Sequence, residues 1–357
     1  MIWDIAIAGG GPAGLALAIR AAQAGLRAVV LERSAEIPDK ACGEGLMPSG
    51  LRELESLGAL GRIAPADRME FRGIRYLQEN GASVEARFRR GSGLGIRRTA
   101  LTRALRERAL ECGAEIRRAT VLEAKAREGL IEVRTDDGPI ETRLLAAADG
   151  LHSPLRRAAG LELQGSGLQR FGVRRHFALR PWTDLVEVHW ADGVEAYVTP
   201  VGPERVNVAF LWQEKRAHFD ELLAHFPRLL ESLRGAAAET EARGAGPLLQ
   251  RVRARHADRL ALCGDAAGYV DAITGQGLSL AFVASRLLLR ALPKDLSSDL
   301  SPALRRYDDS LRAGWLRYAA PAHALVALSR RPALRRKAVG AVARLPGAFA
   351  ALLELVQ

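Results

Sequence analysis

The feature that most narrows what this chain can fold into is Gly9-Gly10-Gly11-Pro12-Ala13-Gly14. It lies between an alternating β-prone run, residues 2–8, and an apolar helical stretch that runs through Ala24 and is closed by Gly25. In a Gly9-x-Gly11-x-x-Gly14 spacing each glycine has its own task. The first permits a tight turn, the second lets backbone approach a pyrophosphate, and the third lets helix pack closely on strand, while free N–H groups at the helix start meet the anion. Ala28-Val29-Val30-Leu31-Glu32 then reads as a buried strand. It ends on Glu32, 23 residues after Gly9, where a carboxylate can accept hydrogen bonds from ribose hydroxyls. Strand, glycine turn, helix, strand and acid make a β-α-β dinucleotide site, with Gly9, Gly11, Pro12, Ala13, Gly14, Glu32 and the adjacent Arg33 as candidate cofactor residues.

The chain has 357 residues, room for about two domains at roughly 150 residues each. With 48% hydrophobic and 26% charged residues it has a globular composition, which excludes a disordered chain. Three scattered cysteines, Cys42, Cys112 and Cys263, exclude a disulfide scaffold and a tetrahedral zinc site and suggest a reducing compartment. No export signal opens the sequence and no stretch reaches the roughly 18 to 20 apolar residues of a membrane span, so a cytoplasmic protein is expected. The net charge of +11 is almost all arginine, since there are only five lysines, and the arginines spread from Arg20 to Arg344. A nucleic-acid binder would gather such charge on one face among aromatics, so no nucleic-acid partner is expected.

Beyond the first unit, residues 99–112 read as a helix stopped by Gly113, with strands near 115–119, 121–128 and 130–135 and a hairpin turn at Asp136-Asp137-Gly138. Residues 171–179, 185–190, 194–199 and 205–211 form short alternating runs separated by turns, which predicts an antiparallel sheet; 69–77 and 83–88 have the same character and are expected to join it. Residues 258–289 return to strand, glycine-rich turn and apolar helix. The expected division is a discontinuous cofactor domain of residues 1–68, 97–165 and 255–299, a substrate domain of 69–96 and 166–254, and a helical region, 300–357.

One dinucleotide fingerprint does not separate NAD from FAD, so the remaining motifs must decide. Gly9-Gly10-Gly11-Pro12-Ala13-Gly14, Ala148-Asp149-Gly150-Leu151-His152-Ser153-Pro154-Leu155-Arg156 and Leu262-Cys263-Gly264-Asp265-Ala266-Ala267-Gly268 resemble, in order, the three signatures of FAD-dependent monooxygenases of the aromatic-hydroxylase type. Geranylgeranyl-reductase-like flavoproteins share all three. The resemblance covers roughly residues 1–290 and implies an α/β fold: a Rossmann-like FAD-binding domain, a mostly antiparallel substrate sheet and a helical C-terminus. It implies FAD as cofactor, NAD(P)H as electron donor, and cofactor contacts from Asp149, Gly264, Asp265, Gly275 and Gly277. Arg98 would approach the flavin, with Arg97 as the competing choice, Val121 would pass the adenine, and Arg156 would close the second signature. The chain departs from the hydroxylase pattern at Ala272, where proline is usual.

Cys42-Gly43-Glu44-Gly45 resembles the Cys-Gly-x-Gly segment that lies near the flavin face in geranylgeranyl-reductase-like proteins. Cys42 is therefore a pocket candidate, with plain packing as the alternative because free cysteine behaves as a small hydrophobe. Cys112 and Cys263 read as core. His176, His189 and Tyr197 lie on strands of the second sheet, where alternation sends half of all side chains away from a ligand, so structural roles are expected for them. No hydrolase triad, metal-binding helix or Trp-x-Trp-x-Ile-Pro halogenase segment is present. Arg330, Arg331, Arg335, Arg336, Lys337 and Arg344 alternate with apolar residues and Phe349. This is either a helix packed on its own domain with a solvated basic face or a peripheral contact with an anionic membrane. The preferred activity is NAD(P)H-dependent hydroxylation of a hydrophobic, phenolic small molecule. Flavin-dependent reduction of an isoprenoid carbon–carbon double bond is the alternative, and a flavoprotein that modifies or chaperones a partner protein is the third reading.

Overall fold

In the computed structural model, which describes residues 1–163, 169–213 and 217–343, the strand Ile2–Ala8 has parallel partners on both sides, Ala28–Glu32 and Gly138–Ala147. Parallel strands need a crossover, and the helix Pro12–Gln23 supplies the first one. Leu15, Leu17 and Ile19 of that helix are fully buried, each contributing about 1.5–3 kcal/mol of apolar burial. Leu260–Leu262 and Glu115–Arg118 extend the parallel array outwards, and the hairpin Val121–Arg127/Leu130–Thr135 pairs onto Gly138–Ala147. Because each central strand is covered on both faces, Ile5, Ala6 and Ile7 are buried without alternation.

The second large sheet runs Ala237–Ala238, Arg170–Ala178, Arg205–Gln213, Val194–Gly202, Val186–Ala191, Gly73–Gln78 and Ser83–Arg87, with Arg243–Ala245 also paired to Arg170–Ala178. Its hairpin-linked strands are antiparallel as expected, but Val186–Ala191 pairs in parallel with Gly73–Gln78, so the sheet is mixed. A hairpin dictates direction; a strand arriving from a distant segment meets no such constraint. The run 69–77 is also not one strand. It breaks at Arg72, whose N–H donates to Asp184 O and whose carbonyl accepts from Phe88 N. Gly73–Gln78 enters the large sheet, whereas Arg68–Phe71 joins Gly93–Ile96 and Gly45–Leu46 in a separate three-stranded sheet. This small sheet presses on the large one: a Cβ on Gly95 would lie 1.7 Å from Pro200 O.

The helices Phe219–Leu223 and Pro227–Ser232 cover one face of the large sheet through Phe219, Phe226 and Leu229. On the side that holds Tyr76, Val84, Val188 and Trp190 lies the helix Pro332–Ala343, joined by a short turn to the long helix Ser301–Ser329. Arg335 does not belong to a solvated basic face. It is fully buried, donates to Gln78 Oε1, Ala191 O and Ser329 O, and reaches Glu79 and Asp192. Arg336 pairs with Glu79, while Arg330, Arg331 and Lys337 are exposed; Arg344 and Phe349 lie outside the described residues. Among the described residues no helix is long and apolar enough to cross a membrane.

Candidate functional site

The glycine turn is shaped by close approaches. Gly9 takes φ +107°, and a Cβ there would sit 2.4 Å from Ala148 O, so two parallel strands and the turn converge on it. A Cβ on Gly14 would lie 2.0 Å from Gly9 O and 3.1 Å from Ile7 Cγ2, which is how closely the helix rides on its strand. Gly11 differs: its nearest neighbour would be an Arg98 guanidinium nitrogen 3.9 Å away, so it faces open space. Gly11 is the N-cap of the helix, no side chain caps it, and Pro12 follows at the first position. The uncapped amides and Arg98 together form a site for an anion.

Glu32 is held by two backbone donors, Gly10 N–H to Oε2 at 2.7 Å and Ser34 N–H to Oε1 at 2.9 Å. These lock the carboxylate at the end of its strand, where it borders the same space with Arg33 and Val121 and keeps lone pairs for hydroxyls. Asp149 and Asp265 lie further along. Burial pushes both carboxyls up, opposed at Asp149 by Ser153 and the Leu155 N–H and at Asp265 by Arg98 and Lys40. Asp149 Oδ1 is buried with no partner, an acceptor waiting for a donor. Gly264, at φ +59°, brings its loop so near the first helix that a Cβ would lie 2.7 Å from Ala13 Cβ. Gly275 and Gly277 open the helix Gly277–Ala291, again with no side-chain cap.

Gly9, Gly11, Pro12, Ala13, Glu32, Arg33, Cys42, Arg98, Val121, Asp149, Gly264, Asp265, Gly275 and Gly277 all line one cavity of about 910 Å³. Gly14 is not on its wall; its role is the close packing just described. From Cys42 and Gly45 the cavity continues into an apolar chamber lined by Met47, Phe71, Ile74, Val188 and Trp190, and roofed by Leu325, Leu328, Val339 and Val342 of the last two helices. The C-terminal helices thus form a wall of the site, a role their Ala/Leu/Arg composition does not reveal.

Of the adjacent pair, Arg98 lines the cavity, and Arg97 turns away into a buried charged cluster that sequence reasoning did not assemble. Glu44, 1% exposed and at φ +59°, accepts from Arg97 Nη1 at 3.0 Å and Arg98 N–H at 2.7 Å. Its other oxygen meets His176 Nε2 at 2.7 Å. Burial, with Arg97 and Arg174 nearby, outweighs Glu44 and pulls the His176 pKa down. Asp39 joins through ion pairs to Arg97 and Arg174. The cluster fastens the loop 39–45 to the large sheet, and Asn207 adds a hydrogen bond of 2.9 Å to Cys42 O. Cys42 is half-buried on the cavity wall. Glu44 stands 132 residues from His176 in the chain, so no spacing signal links them.

Arg156 is fully buried away from the cavity, bound to Glu162, Gln250 and the carbonyl of Leu151, and it braces the loop after Asp149. His176 and His189 are off the cavity wall, the latter beside Glu187 at 3.2 Å, while His152 and Tyr197 are on it. Cys263 is buried, and burial pushes its thiol up to about 12.

The glycine cradle, the locked ribose-side acid, the unpartnered Asp149 oxygen and the two uncapped helix starts fit the adenosine, pyrophosphate and ribityl parts of FAD. Comparison with known proteins agrees. The sequence profile of the FAD binding domain family matches residues 3–310. Digeranylgeranylglycerophospholipid reductase 1 of Methanopyrus kandleri is 29% identical over 333 residues, covering 87% of this chain and 86% of that protein. Menaquinone reductase of Mycobacterium tuberculosis is 27% identical over 325 residues, 84% of this chain and 79% of that one. Among solved structures, the flavin-dependent brominase Bmp2 superposes with a TM-score of 0.85 at 16% identity, covering 100% of this chain and 93% of that chain, a likeness of fold alone.

Proposed function

The chain belongs to the FAD binding domain family, and from that premise we propose that it is a flavin-dependent reductase of carbon–carbon double bonds in long, lipophilic substrates such as polyprenyl chains. That it is an FAD-dependent oxidoreductase follows from the family. The reductase reading rests chiefly on one observation: the cavity that begins at the dinucleotide cradle continues into a chamber walled by Met47, Phe71, Ile74, Val188, Leu328 and Val339. Such a wall takes up hydrocarbon and offers little to orient a small polar ring. The relatives named as reductases, matched over more than four-fifths of this chain, weigh in the same direction. The three ordered motifs are common to hydroxylases and reductases; the chamber and these relatives favour the reductase over the hydroxylation expected from the sequence.

When bound, FAD supplies hydride chemistry, and the protein supplies position and electrostatics. Glu32 fixes the adenosine end; Gly11, the helix start and Arg98 hold the pyrophosphate; Asp149 and Asp265 accept from hydroxyls. The Glu44 cluster holds Cys42 and Gly45 at the junction between the cofactor region and the chamber. The chamber orients the alkene and excludes water. NAD(P)H is the proposed source of electrons.

The test is anaerobic. The purified yellow protein is reduced, by NADPH in one arm, and mixed with geranylgeraniol or a menaquinone while flavin absorbance is followed. Reoxidation by the alkene without oxygen, with saturated product, is expected. A reduced protein that ignores both compounds but hydroxylates a lipophilic phenol when oxygen is admitted would overturn the proposal in favour of a monooxygenase.

A further inference from the structure

Saturating a double bond takes a proton as well as a hydride, and the apolar chamber has few groups that can give one. The strand Val194–Gly202 places Glu195, Tyr197 and Thr199 in a row on one face, because alternate residues share a face. Thr199 ends the row nearest the cofactor region: its Cγ2 is 3.7 Å from the Cβ position of Gly45. Tyr197 is in the middle, on the chamber wall. Its hydroxyl donates to Glu195 Oε2 at 2.9 Å.

Glu195 lies at the opposite end, and it borders a second, separate cavity of about 140 Å³. That outer cavity is lined by Arg170, Gly193, Gln213, Arg330 and Pro332 as well, and Gly193 and Arg330 on its rim are exposed. Arg170, 2% exposed, donates to the same Glu195 oxygen at 2.9 Å and stands 3.3 Å from Asp271 Oδ2. One buried cation thus faces two buried carboxylates. Burial raises Asp271 to about 6 against the pull of Arg170, so this group exchanges a proton close to neutral pH. Tyr197 is pushed well above its ordinary value, first by burial and then by Glu195, so at neutral pH it holds its proton.

We propose that Tyr197 is the catalytic acid of the chamber and that Glu195 refills it with protons from the outer cavity. The inference rests on the reductase reading above. With FAD bound, the cofactor would supply hydride to one carbon of the double bond. At its neighbour a C–H bond forms as the Tyr197 O–H bond breaks, and the Glu195 carboxylate then takes a proton from solvent in the outer cavity and passes it to the phenolate. The hydride and the Tyr197 proton together add two electrons and two protons, and one saturated bond results. Arg170 and Asp271 are positioning residues that hold the Glu195 carboxylate against the phenol.

The experiment uses the full-length, FAD-loaded chain, reduced anaerobically and mixed with geranylgeraniol. Tyr197→Phe should slow alkene-dependent reoxidation by about 10²-fold or more, the range general-acid catalysis supplies, with FAD content and geranylgeraniol affinity unchanged. Glu195→Gln should give a first turnover near the wild-type rate, because Tyr197 starts protonated, followed by slowed later turnovers; a merely structural role would slow both alike. Independently of turnover, the ring-carbon NMR resonance of Tyr197 in tyrosine-labelled protein, assigned by its loss in Tyr197→Phe, should move on Glu195→Gln. Wild-type turnover with Tyr197→Phe within about twofold of it overturns the acid assignment alone, since a general acid is worth far more. An unslowed Glu195→Gln, or an unmoved Tyr197 resonance, removes the supply route. A wild-type protein that no alkene reoxidises overturns the reductase reading, and the acid assignment with it.

Discussion

Two glycines of one motif should fail in different ways. An added Cβ at position 14 would stand 2.0 Å from Gly9 O, a backbone atom that cannot rotate aside. Relief requires the helix Pro12–Gln23 to lift off its strand by about an ångström or more, and overpacking of this kind costs about 1–3 kcal/mol. With backbone as the obstacle the upper end applies. Gly→Ala inside a helix returns about 1 kcal/mol of propensity, so Gly14→Ala should lose about 2 kcal/mol. By the scaling for domains of 150–250 residues that is about 4–8 °C in Tm. At Gly11 the nearest atom to an added Cβ is 3.9 Å away, and the backbone is extended at φ −77°, ψ 176°. There the loss of N-cap preference, about 0.5–1 kcal/mol, is offset by a similar gain from a less flexible unfolded chain. Gly11→Ala should therefore melt with the wild type as apoprotein yet bind FAD at least about tenfold more weakly, since its methyl occupies the approach of the pyrophosphate and tenfold is only about 1.4 kcal/mol. Thermal melts of the apoproteins and fluorescence titration with FAD separate the two. If apo Gly14→Ala melted at the wild-type temperature, or Gly11→Ala kept wild-type FAD affinity, the assignment of one glycine to packing and the other to ligand approach would be refuted.

Two further outcomes are expected. Glu32→Ala and Asp265→Ala should each lower FAD retention through gel filtration, by about 10- to 150-fold in affinity for loss of a charge-assisted hydrogen bond of about 1.5–3 kcal/mol; full flavin occupancy in both would show that these carboxylates do not face the cofactor. For Asp271 the folded value of about 6 lies above the ordinary aspartate value of 3.8, so the folded state binds the extra proton and stability falls as pH rises from about 4 to 6, by up to about 3 kcal/mol. Asp271→Asn keeps an acceptor for the Ile273 N–H and should flatten that dependence, read as urea midpoints at pH 4.5 and 7; an unchanged slope would mean that Asp271 is not the group responsible.

The candidate cofactor residues that line one cavity were legible in the chain because their signals are local. Gly9, Gly11, Gly14 and Glu32 fall within one β-α-β unit whose spacing is set by strand rise and helix pitch, and Asp149, Gly264 and Asp265 follow buried strand segments at turns. Geometry that short is written in neighbouring residues. The parallel pairing of Gly73–Gln78 with Val186–Ala191 was not legible, nor was the break at Arg72. Alternation tells which face of a strand is buried, but it does not tell which distant strand lies beside it, or in which direction.

Read alone, the sequence determined the glycine turn, the β-α-β unit around it and the antiparallel hairpins, because each depends on backbone conformations that only certain residues permit. Tertiary structure alone decided the rest. It turned Arg98 into the cavity and Arg97 onto Glu44 and His176. It buried Arg335 among Gln78, Ala191 and Ser329 instead of leaving it on a basic face. It also brought Leu328 and Val339 over the chamber and set Tyr197 on the chamber wall against Glu195. Those outcomes depend on which side chains from remote segments share a small desolvated volume, where a charge must find its partner or pay the cost of burial, and no local periodicity carries that information.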